Sequence, residues 1–276
     1  MRFTLSVILL LLSSALYSQY FFNDIVSTQS ANEQYRLLRA NKVKKIKATS
    51  YEADNSVSDG FLLEEEISPD GKKTTLTSAV AGTTPSTTSR TYELSKLRRT
   101  QSFNKGIENK TEYTYNDKGL VQKIVLTTAD TAMKYASIET HEWQYDDKGQ
   151  PVSMLKIKNH DDTVLVELVK DDRGMVTEER WKKKNRMLEN YYYYYDNSNR
   201  LTDIVRYNAR LKKLIPDFQY EYDAASRISQ MTQISLSTSN YVIWKYTYDD
   251  KGLKTAETGF DKQKNQVGRI QYTYEL

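Results

Sequence analysis

Cysteine is absent from the chain, which is 276 residues long. This absence excludes disulfide bonds, thiolate metal sites, cysteine nucleophiles and the lipid-modified cysteine of a bacterial lipoprotein. The fold must therefore be held by hydrophobic packing alone, and the chain is long enough to form one or two cores. We predict a protein without disulfides that is not a lipoprotein.

Histidine is scarce, because His141 and His160 are the two copies in the sequence. A zinc site needs more ligands at suitable spacing than these two residues offer. His141 lies on the polar phase of an alternating pattern, so we expect its side chain to be exposed. The calcium-loop spacing, the phosphate loop, the dinucleotide fingerprint and the nucleophile elbow are all missing. We therefore expect no catalytic residues, no metal and no cofactor.

Long apolar runs are missing after the N-terminus. Residues 5–12 form one short apolar run behind Arg2, and small residues follow it. Such a run is too short to span a bilayer stably and is typical of a secretory signal. We predict that residues 1–18 are a cleaved signal peptide, with a retained anchor or a buried strand as alternatives. The mature chain is then exported without a transmembrane span, and is periplasmic, outer-membrane-associated or extracellular.

The sequence also has no large excess of positive or negative residues. The chain has 40 basic and 36 acidic residues, a formal net charge of +4, and both signs are spread along it. Two basic clusters, at residues 42–47 and 182–186, are predicted to be solvated strand edges or turns. A polyanion-binding or membrane-surface site is the alternative. The charge balance and the expected export both argue against nucleic acid as a partner.

One segment favours a helix and the remainder favours strands. Residues 19–41 are predicted to be a helical lead, because Ser30 and Glu33 have the spacing of a capping box. From Val43 onward, tyrosine, threonine, valine and isoleucine alternate with turn residues, which is the pattern of short strands. The segment 74–91 is rich in serine and threonine, and we expect it to form a long hairpin tip or a linker.

A repeat runs through the second half of the sequence, and such a period indicates a repeat architecture. Its anchors are separated by 25 to 30 residues and are Asn116, Asp146, Asp171, Asp196, Asp223, Asp249 and Glu275. Large side chains occupy the positions three and one before most anchors, so they share one face of a strand. The residues between them are polar, which predicts an antiparallel sheet covered on one face.

Each anchor is predicted to begin a turn, because its side chain can accept a hydrogen bond from a following backbone N–H. A glycine three residues later supplies a positive φ in four copies, at Gly119, Gly149, Gly174 and Gly252. Ser226 takes this position after Asp223, which predicts a different or strained turn there. Apolar residues recur five and eight positions after the anchor, so the return strand contains a bulge or twists strongly.

The repeat resembles the YD repeats of Rhs-type bacterial surface and toxin-associated proteins, whose core is Y-x-Y-D-x-x-G-R-L. The best copies are YTYDDKGL, which begins at Tyr246, and YDNSNRL, which begins at Tyr195. The resemblance covers about residues 111–276, and residues 42–110 resemble divergent early hairpins. It implies β-sheet shells or filaments, often tied to carbohydrate binding or toxin encapsulation. A chain this short lacks a long array, so we expect a small structural or binding member.

The predicted fold is all-β: an extended antiparallel meander of 16–18 short strands with one short N-terminal helix. The sheet is expected to be open and twisted or curled into a half-barrel. The expected function is that of an exported, non-enzymatic structural or binding protein of the cell envelope. Its partner would be an envelope polysaccharide or another envelope protein, and its oligomeric state stays open.

Three alternatives remain. The first is glycan binding through exposed aromatic residues, for which the candidates are Trp143, Trp181, Tyr193 and Trp244. Against it, a tyrosine ladder on one face of a sheet is more typical of packing than of a ligand platform. The second is an outer-membrane barrel, which needs strands of roughly 9–11 residues with an uncharged lipid face. The third is an enzyme with two converging carboxylates.

Overall fold

The computed structural model describes residues 20–130, 132, 134–159, 161–208, 211–235 and 240–276. The predicted signal peptide and His160 lie outside the described residues. One helix, α1 (Asn23–Ala40), precedes eighteen strands. The strands are β1 Lys45–Glu52, β2 Leu62–Ile67, β3 Lys73–Ala79, β4 Ser86–Glu93, β5 Lys96–Asn104, β6 Ile107–Tyr115, β7 Val121–Asp130, β8 Tyr135–Tyr145, β9 Pro151–Lys158, β10 Asp162–Lys170, β11 Val176–Lys183, β12 Arg186–Tyr195, β13 Leu201–Asn208, β14 Lys213–Tyr222, β15 Ile228–Ser235, β16 Asn240–Tyr248, β17 Lys254–Phe260 and β18 Gln266–Glu275.

The strands form a closed antiparallel barrel. Every strand pairs with the strand before it, and β1 pairs with β18 along eight residues, from Lys45 opposite Glu275 to Glu52 opposite Gly268. The all-β class and the single helix among the described residues are confirmed. The expected open sheet or half-barrel is wrong, because pairing the first strand with the last removes both unpaired edges.

Six of the seven predicted anchors begin one common hairpin turn. In the copy at Asp171, the Gly174 N–H donates to the Asp171 carbonyl at 2.9 Å. The Met175 N–H donates to Oδ1 of the Asp171 side chain, also at 2.9 Å. The other five turns repeat this geometry and begin at Asn116, Asp146, Asp196, Asp223 and Asp249. These turns all lie at one end of the barrel, which we call the repeat-turn end.

Three details of the repeat differ from expectation. Ser226 closes its turn in the common way with a φ of 60°, so the expected departure is not observed. A non-glycine residue can adopt this left-handed conformation, although it does so rarely. Glu275 begins no turn, since it lies in β18 and pairs with Lys47 at 2.6 Å. The repeat analysis missed Asp261, which begins the same turn at the opposite end of the barrel.

A β-bulge precedes each of the six turns. In the β14–β15 hairpin, Glu221 lies opposite Gln230 but Tyr222 lies opposite Ile228, so one residue is skipped. The same shift occurs beside Tyr115, Tyr145, Lys170, Tyr195 and Tyr248. Of the two expected explanations for the five-and-eight spacing, the bulge is therefore present.

The tyrosine directly before each anchor fastens its hairpin to the preceding hairpin. The Tyr222 hydroxyl donates to the Leu201 carbonyl at 2.6 Å. Equivalent bonds join neighbouring copies through Tyr115, Tyr145, Tyr195, Tyr248 and Tyr274. In the copy without this tyrosine, Lys170 instead donates to Asp146 at 2.8 Å. In the repeat, therefore, the acid forms a turn and the tyrosine couples neighbouring hairpins.

Helix α1 begins earlier than its sequence indicates. The capping box predicts a start near Ser30, whereas the helix begins at Asn23. No side chain of the local segment caps it. The Phe21 and Phe22 N–H groups instead donate to the carboxylate of Glu179 on β11, at 2.7 and 2.8 Å. The N–H groups of the first helical turn donate to the carbonyls of Tyr20, Phe21 and Phe22. The distant carboxylate thus holds the segment that leads into the helix.

The segment 74–91 forms strands where a long loop or linker was expected. Most of it belongs to β3 and β4, and residues 80–85 alone connect them. Threonine is β-branched and suits a pleated, half-buried strand, so richness in threonine does not by itself indicate a loop. The early hairpins at residues 42–110 are therefore full members of the barrel.

The helix lies inside the barrel. Tyr35 stacks on Tyr92 of β4 with ring centroids 3.8 Å apart, and Leu38 packs with Ile46 of β1 and Ile67 of β2. At its other end, the helix contacts β8 and β11 on another part of the wall. No helix in the described part of the chain is long and apolar enough to cross a membrane.

The outer face of the barrel carries paired charges. Alternate residues of each strand face the lumen, and the residues between them face outward. Pairs on the outer face include Arg99–Glu112 at 2.8 Å and Lys182–Glu167 at 2.6 Å. Lysines of both predicted basic clusters take part in such pairs, namely Lys45, Lys47, Lys182 and Lys183. These clusters therefore belong to a solvated surface of mixed charge.

Candidate functional site

The lumen holds two groups of polar side chains, one near each end of α1. The first, which we call the N-terminal dock, consists of Asp24 on the helix with Glu139, His141 and Glu179 on the wall. The second lines a cavity of about 310 Å³ beside the C-terminal half of the helix, and we call it the lumen cavity. The two groups differ in how completely their polar atoms are paired.

Glu179 is the centre of the N-terminal dock and is 0% exposed. Besides the Phe21 and Phe22 N–H groups, its carboxylate accepts hydrogen bonds from the Trp181 indole N–H and the Tyr193 hydroxyl. Burial raises the pKa of Glu179 above its ordinary value, and the four hydrogen bonds oppose that shift. Because each donor is engaged with this one carboxylate, Glu179 holds the start of the helix against the wall.

His141 is buried, so its expected exposure is wrong. Its strand position faces the lumen, where Nδ1 lies 2.6 Å from the Asp24 carboxylate and Nε2 lies 2.9 Å from Glu139. Burial lowers the pKa of His141, but the charge of Asp24 and the hydrogen bonds to both carboxylates outweigh it and raise the pKa to about 9. The imidazolium form therefore binds the helix to β8 at neutral pH.

Glu139 completes this charged group. Burial raises the pKa of its carboxyl, but hydrogen bonds from His141 and Lys156 outweigh burial and lower the pKa to about 2. The Lys156 ammonium lies 3.0 Å from Glu139 and 5.1 Å from the centre of the Phe21 ring. The titratable groups of the dock thus form hydrogen bonds and ion pairs with one another and with the helix.

The four residues predicted for glycan stacking lie in the lumen. Trp143, Tyr193 and Trp244 are 4%, 2% and 1% exposed. Trp143 donates to Asp24 at 3.2 Å, and the Trp181 ring packs 4.6 Å from Phe21. The structure brings Trp143, Trp181 and Tyr193 together around the start of the helix, whereas Trp244 belongs to a separate apolar cluster. Stacking of a sugar on Trp143, Trp181 or Tyr193 would require the start of the helix to leave.

The lumen cavity has four charged side chains in its lining. Arg90 on β4 contacts Glu65 on β2 at 3.1 Å, and Lys254 contacts Glu257 on β17 at 2.7 Å. The Tyr272 hydroxyl also donates to Glu257, at 2.9 Å. Two acids and two bases leave the cavity close to neutral, with both signs present on its wall.

Apart from these charges, the cavity wall carries apolar side chains, tyrosines, Gln34 of the helix and Thr74 of β3. Its apolar lining includes Leu38 of the helix together with Phe61, Leu63 and Ile270. Thr74 on β3 also lines the cavity and is 1% exposed. Its hydroxyl oxygen has no hydrogen-bond partner among the described residues. A buried hydroxyl without a partner is unusual in a folded protein and calls for an explanation.

Sequence reasoning missed the lumen cavity entirely. One signal was available at Glu65, because this acid lies between Leu63 and Ile67 on the apolar phase of β2. A charge on the buried face of a strand indicates either a partner across the lumen or a site. Its partner Arg90 lies in the segment that was expected to be a loop, so the pairing was not foreseen.

Metal binding has no visible support. The described residues contain no group of three or more histidine, cysteine, aspartate or glutamate side chains placed to hold a metal ion. The acids of the lumen accept hydrogen bonds from nitrogen and hydroxyl donors instead.

Comparison with known proteins gives distant structural likenesses only. No family model matches the chain, and no curated protein matches it. The crystal structure of TcdB2–TccC3–Cdc42 is 15% identical with a TM-score of 0.36, covering 76% of this chain and 12% of that one. This chain thus spans a small part of that protein's length.

Two porin-like proteins are also similar. The protein from Bacteroides uniformis is 14% identical with a TM-score of 0.45, covering 84% of this chain and 96% of that one. The protein from Bacteroides vulgatus is 11% identical with a TM-score of 0.27, covering 84% and 98%. Because all three TM-scores lie below 0.5, these likenesses carry no argument about ligand, partner or activity.

Proposed function

We propose that this protein is an exported, non-enzymatic binding barrel that works in an aqueous compartment of the bacterial cell envelope. The observation that carries the proposal is the charge on the outer face of the barrel. Arg99 and Glu112 lie near the middle of β5 and β6, and Glu167 lies near the middle of β10. A basic residue facing lipid at the bilayer midplane costs about 2–4 kcal/mol, so water is the favoured surroundings.

Strand length supports the same proposal. A strand that crosses a membrane in a barrel needs about 9–11 residues. Strands β2, β3 and β17 have 6, 7 and 7 residues and six strands have 8, whereas the other nine have 9–11. Part of the barrel is therefore too short for a hydrocarbon layer.

The absence of an enzymatic role is part of the proposal. Strongly shifted pKa values at groups in a cleft often mark catalytic sites. Here the shifted acids and the shifted histidine, Glu139, His141 and Glu179, are engaged with the helix and with one another. Their arrangement supports a structural role, which leaves the lumen cavity as the place where a ligand can bind.

An outer-membrane barrel is the second candidate, and two observations favour it. The closed meander has no free sheet edge, which is what a lipid environment demands. Exposed apolar side chains also occur on the wall, such as Phe103, Leu165 and Leu214. This candidate requires those side chains to face lipid although charged pairs lie between them.

Cell fractionation separates the two candidates. We expect the full chain, expressed in a Gram-negative host, to be released by osmotic shock and to stay in the supernatant without detergent. Retention in the outer membrane after high-salt and alkaline washes would contradict the proposal and support the second candidate. Two variants sharpen the test, Leu165→Lys and Leu214→Lys, each of which places a charge on the outer face. We expect both to leave a barrel in water intact, whereas a lysine facing lipid would oppose membrane insertion.

Membership of the YD-repeat family is likewise a proposal. The tyrosine-to-carbonyl bond and the acid-initiated turn give the two most frequent letters of the motif a physical role in this barrel. The arginine of the motif has one too, since Arg200 contacts Asp196 at 2.7 Å and its guanidinium lies 4.6 Å from the centre of the Tyr222 ring.

A further inference from the structure

We propose that the lumen cavity binds a small amphipathic zwitterion, of which an apolar α-amino acid is the simplest example. This inference adds a ligand class to the proposed binding function and rests on it. The cavity has the volume of a small-molecule site, about 310 Å³, and such sites begin near 300 Å³.

The charges of the cavity select a ligand with both signs. Glu65 and Glu257 offer acceptors, whereas Arg90 and Lys254 offer donors. Each ion pair is made through a single carboxylate oxygen of its acid, so both acids and both bases keep capacity for a further hydrogen bond. A ligand ammonium matches the acids and a ligand carboxylate matches the bases. A ligand of one sign would leave half of this wall unmatched.

The apolar part of the cavity wall selects a ligand with an apolar body. Leu38, Phe61, Leu63 and Ile270 line the cavity beside the charges. A sugar presents hydroxyl groups in most directions and would leave several of them against these side chains without partners. A branched aliphatic or aromatic side chain would fill the same space and remove apolar surface from water.

The Thr74 hydroxyl supplies an independent reason to expect a ligand. It is buried, it lines the cavity, and its oxygen has no partner among the described residues. An unpaired buried hydroxyl is costly. Valine has nearly the same shape and would avoid this cost, and a bound molecule that makes contact with the hydroxyl would also remove it.

The cavity is reached by solvent. The side chains of Arg90 and Lys254 are 30% and 36% exposed, whereas those of Glu65 and Glu257 are 14% and 10% exposed. The bases thus lie toward the open part of the lumen, and the acids lie deeper. We infer that the ligand enters with its ammonium first and leaves its carboxylate near the opening.

Isothermal titration calorimetry on the mature chain tests the inference with three probes. L-leucine carries both charges and an apolar body. N-acetyl-L-leucinamide keeps the apolar body without the charges, and glucose is a neutral polyol. We expect L-leucine to bind with one site per chain and the other two probes to bind at least about tenfold more weakly, because each lacks the charge-assisted contacts. Absent L-leucine binding, or equal binding of either other probe, would overturn the inference.

Variants show whether binding occurs in this cavity. Thr74→Val should weaken L-leucine binding about two- to tenfold, the effect of one lost hydrogen bond. The double variant Glu65→Gln/Arg90→Gln removes both partners of one pair, so it leaves no isolated charge and should weaken binding by about tenfold or more. Unchanged binding in both variants would place the ligand elsewhere and would contradict the inference.

Matched controls lie on the outer face. Thr49→Val changes an exposed threonine of β1, and Arg99→Gln/Glu112→Gln removes an outer ion pair of similar length. Both should bind L-leucine as the wild type does. Binding and fractionation are independent measurements. A soluble barrel that binds no zwitterion would refute this inference alone, and a membrane-bound barrel would refute the proposed aqueous location.

Discussion

The two ends of the lumen differ in how completely their polar side chains are hydrogen-bonded. At the N-terminal dock, Glu179 accepts four hydrogen bonds and His141 contacts a carboxylate at each ring nitrogen. In the lumen cavity, Thr74 has an unpaired hydroxyl, and two ion pairs reach partly into solvent. Both regions contact the same helix, so the difference lies in the wall.

This contrast separates structure from candidate function within one lumen. A buried network in which every polar atom is hydrogen-bonded holds the helix and the strands in one arrangement. Removal of one side chain leaves its partners without a hydrogen bond. A site in which some donors and acceptors lack partners can form hydrogen bonds to a ligand. We therefore expect substitutions of polar groups at the dock to destabilise the protein and a polar-to-apolar change in the cavity to be harmless.

The largest expected effect is that of Glu179→Ala. The change leaves four buried donors without an acceptor, so we expect the free energy of unfolding to fall by about 4 kcal/mol or more. Urea unfolding followed by tryptophan fluorescence measures it. The outer-face variant Glu142→Ala is the control, and its exposed pair with Lys123 should contribute at most about 1 kcal/mol. Equal losses in both variants would refute the special role of the dock.

The second effect is a dependence of stability on pH. The pKa of His141 rises from 6.5 to about 9 on folding. A raised pKa contributes stability that is fully present below pH 6.5 and is lost as the pH rises through about 9. The contribution amounts to about 3 kcal/mol at most. Unfolding free energies between pH 6 and 10 should fall in the wild type and stay flatter in His141→Gln. Parallel curves would show that His141 does not link the helix to β8 as an imidazolium.

The third effect concerns the coupling between repeats. Tyr222→Phe removes the hydroxyl that donates to the Leu201 carbonyl, and we expect a loss of about 1 kcal/mol. Tyr207→Phe is the matched control, because Tyr207 is 51% exposed on β13 and surface changes usually stay within about 0.5 kcal/mol. Thermal and urea unfolding of both variants give the comparison. A smaller loss for Tyr222→Phe than for its control would remove the structural explanation of the motif's tyrosine.

The smallest effect has the opposite sign. Without ligand, Thr74→Val should leave stability unchanged or raise it by about 0.5–1 kcal/mol, because it removes a buried hydroxyl that has no partner. The same unfolding experiment measures this change. A loss of 2 kcal/mol or more would show that the hydroxyl is satisfied in the protein, and the contrast between dock and cavity would then disappear.

The repeat made much of the local structure predictable. The acid-initiated turns, the positive φ three residues later and the aromatic face all follow from interactions within one hairpin. The start of the helix was not predictable in this way, because Glu179 binds the backbone of the preceding residue Phe22 from 157 residues away. His141 was misjudged for a related reason. The polar character of its side chain suggested an outer face, whereas His141 lies two residues before Trp143 and so shares the aromatic face, where Asp24 and Glu139 are its polar partners.

The sequence by itself determined the strands, the turns and the face that carries the tyrosines, because these depend on neighbours along the chain. Tertiary structure decided that β1 meets β18 and that the helix lies inside the closed wall. Closure depends on the accumulated twist and tilt of eighteen strands, which no single repeat encodes. The lumen cavity also depends on that closure, since its wall joins Glu65 and Arg90 of β2 and β4 with Lys254 and Glu257 of β17, and these strands meet across the β1–β18 pairing.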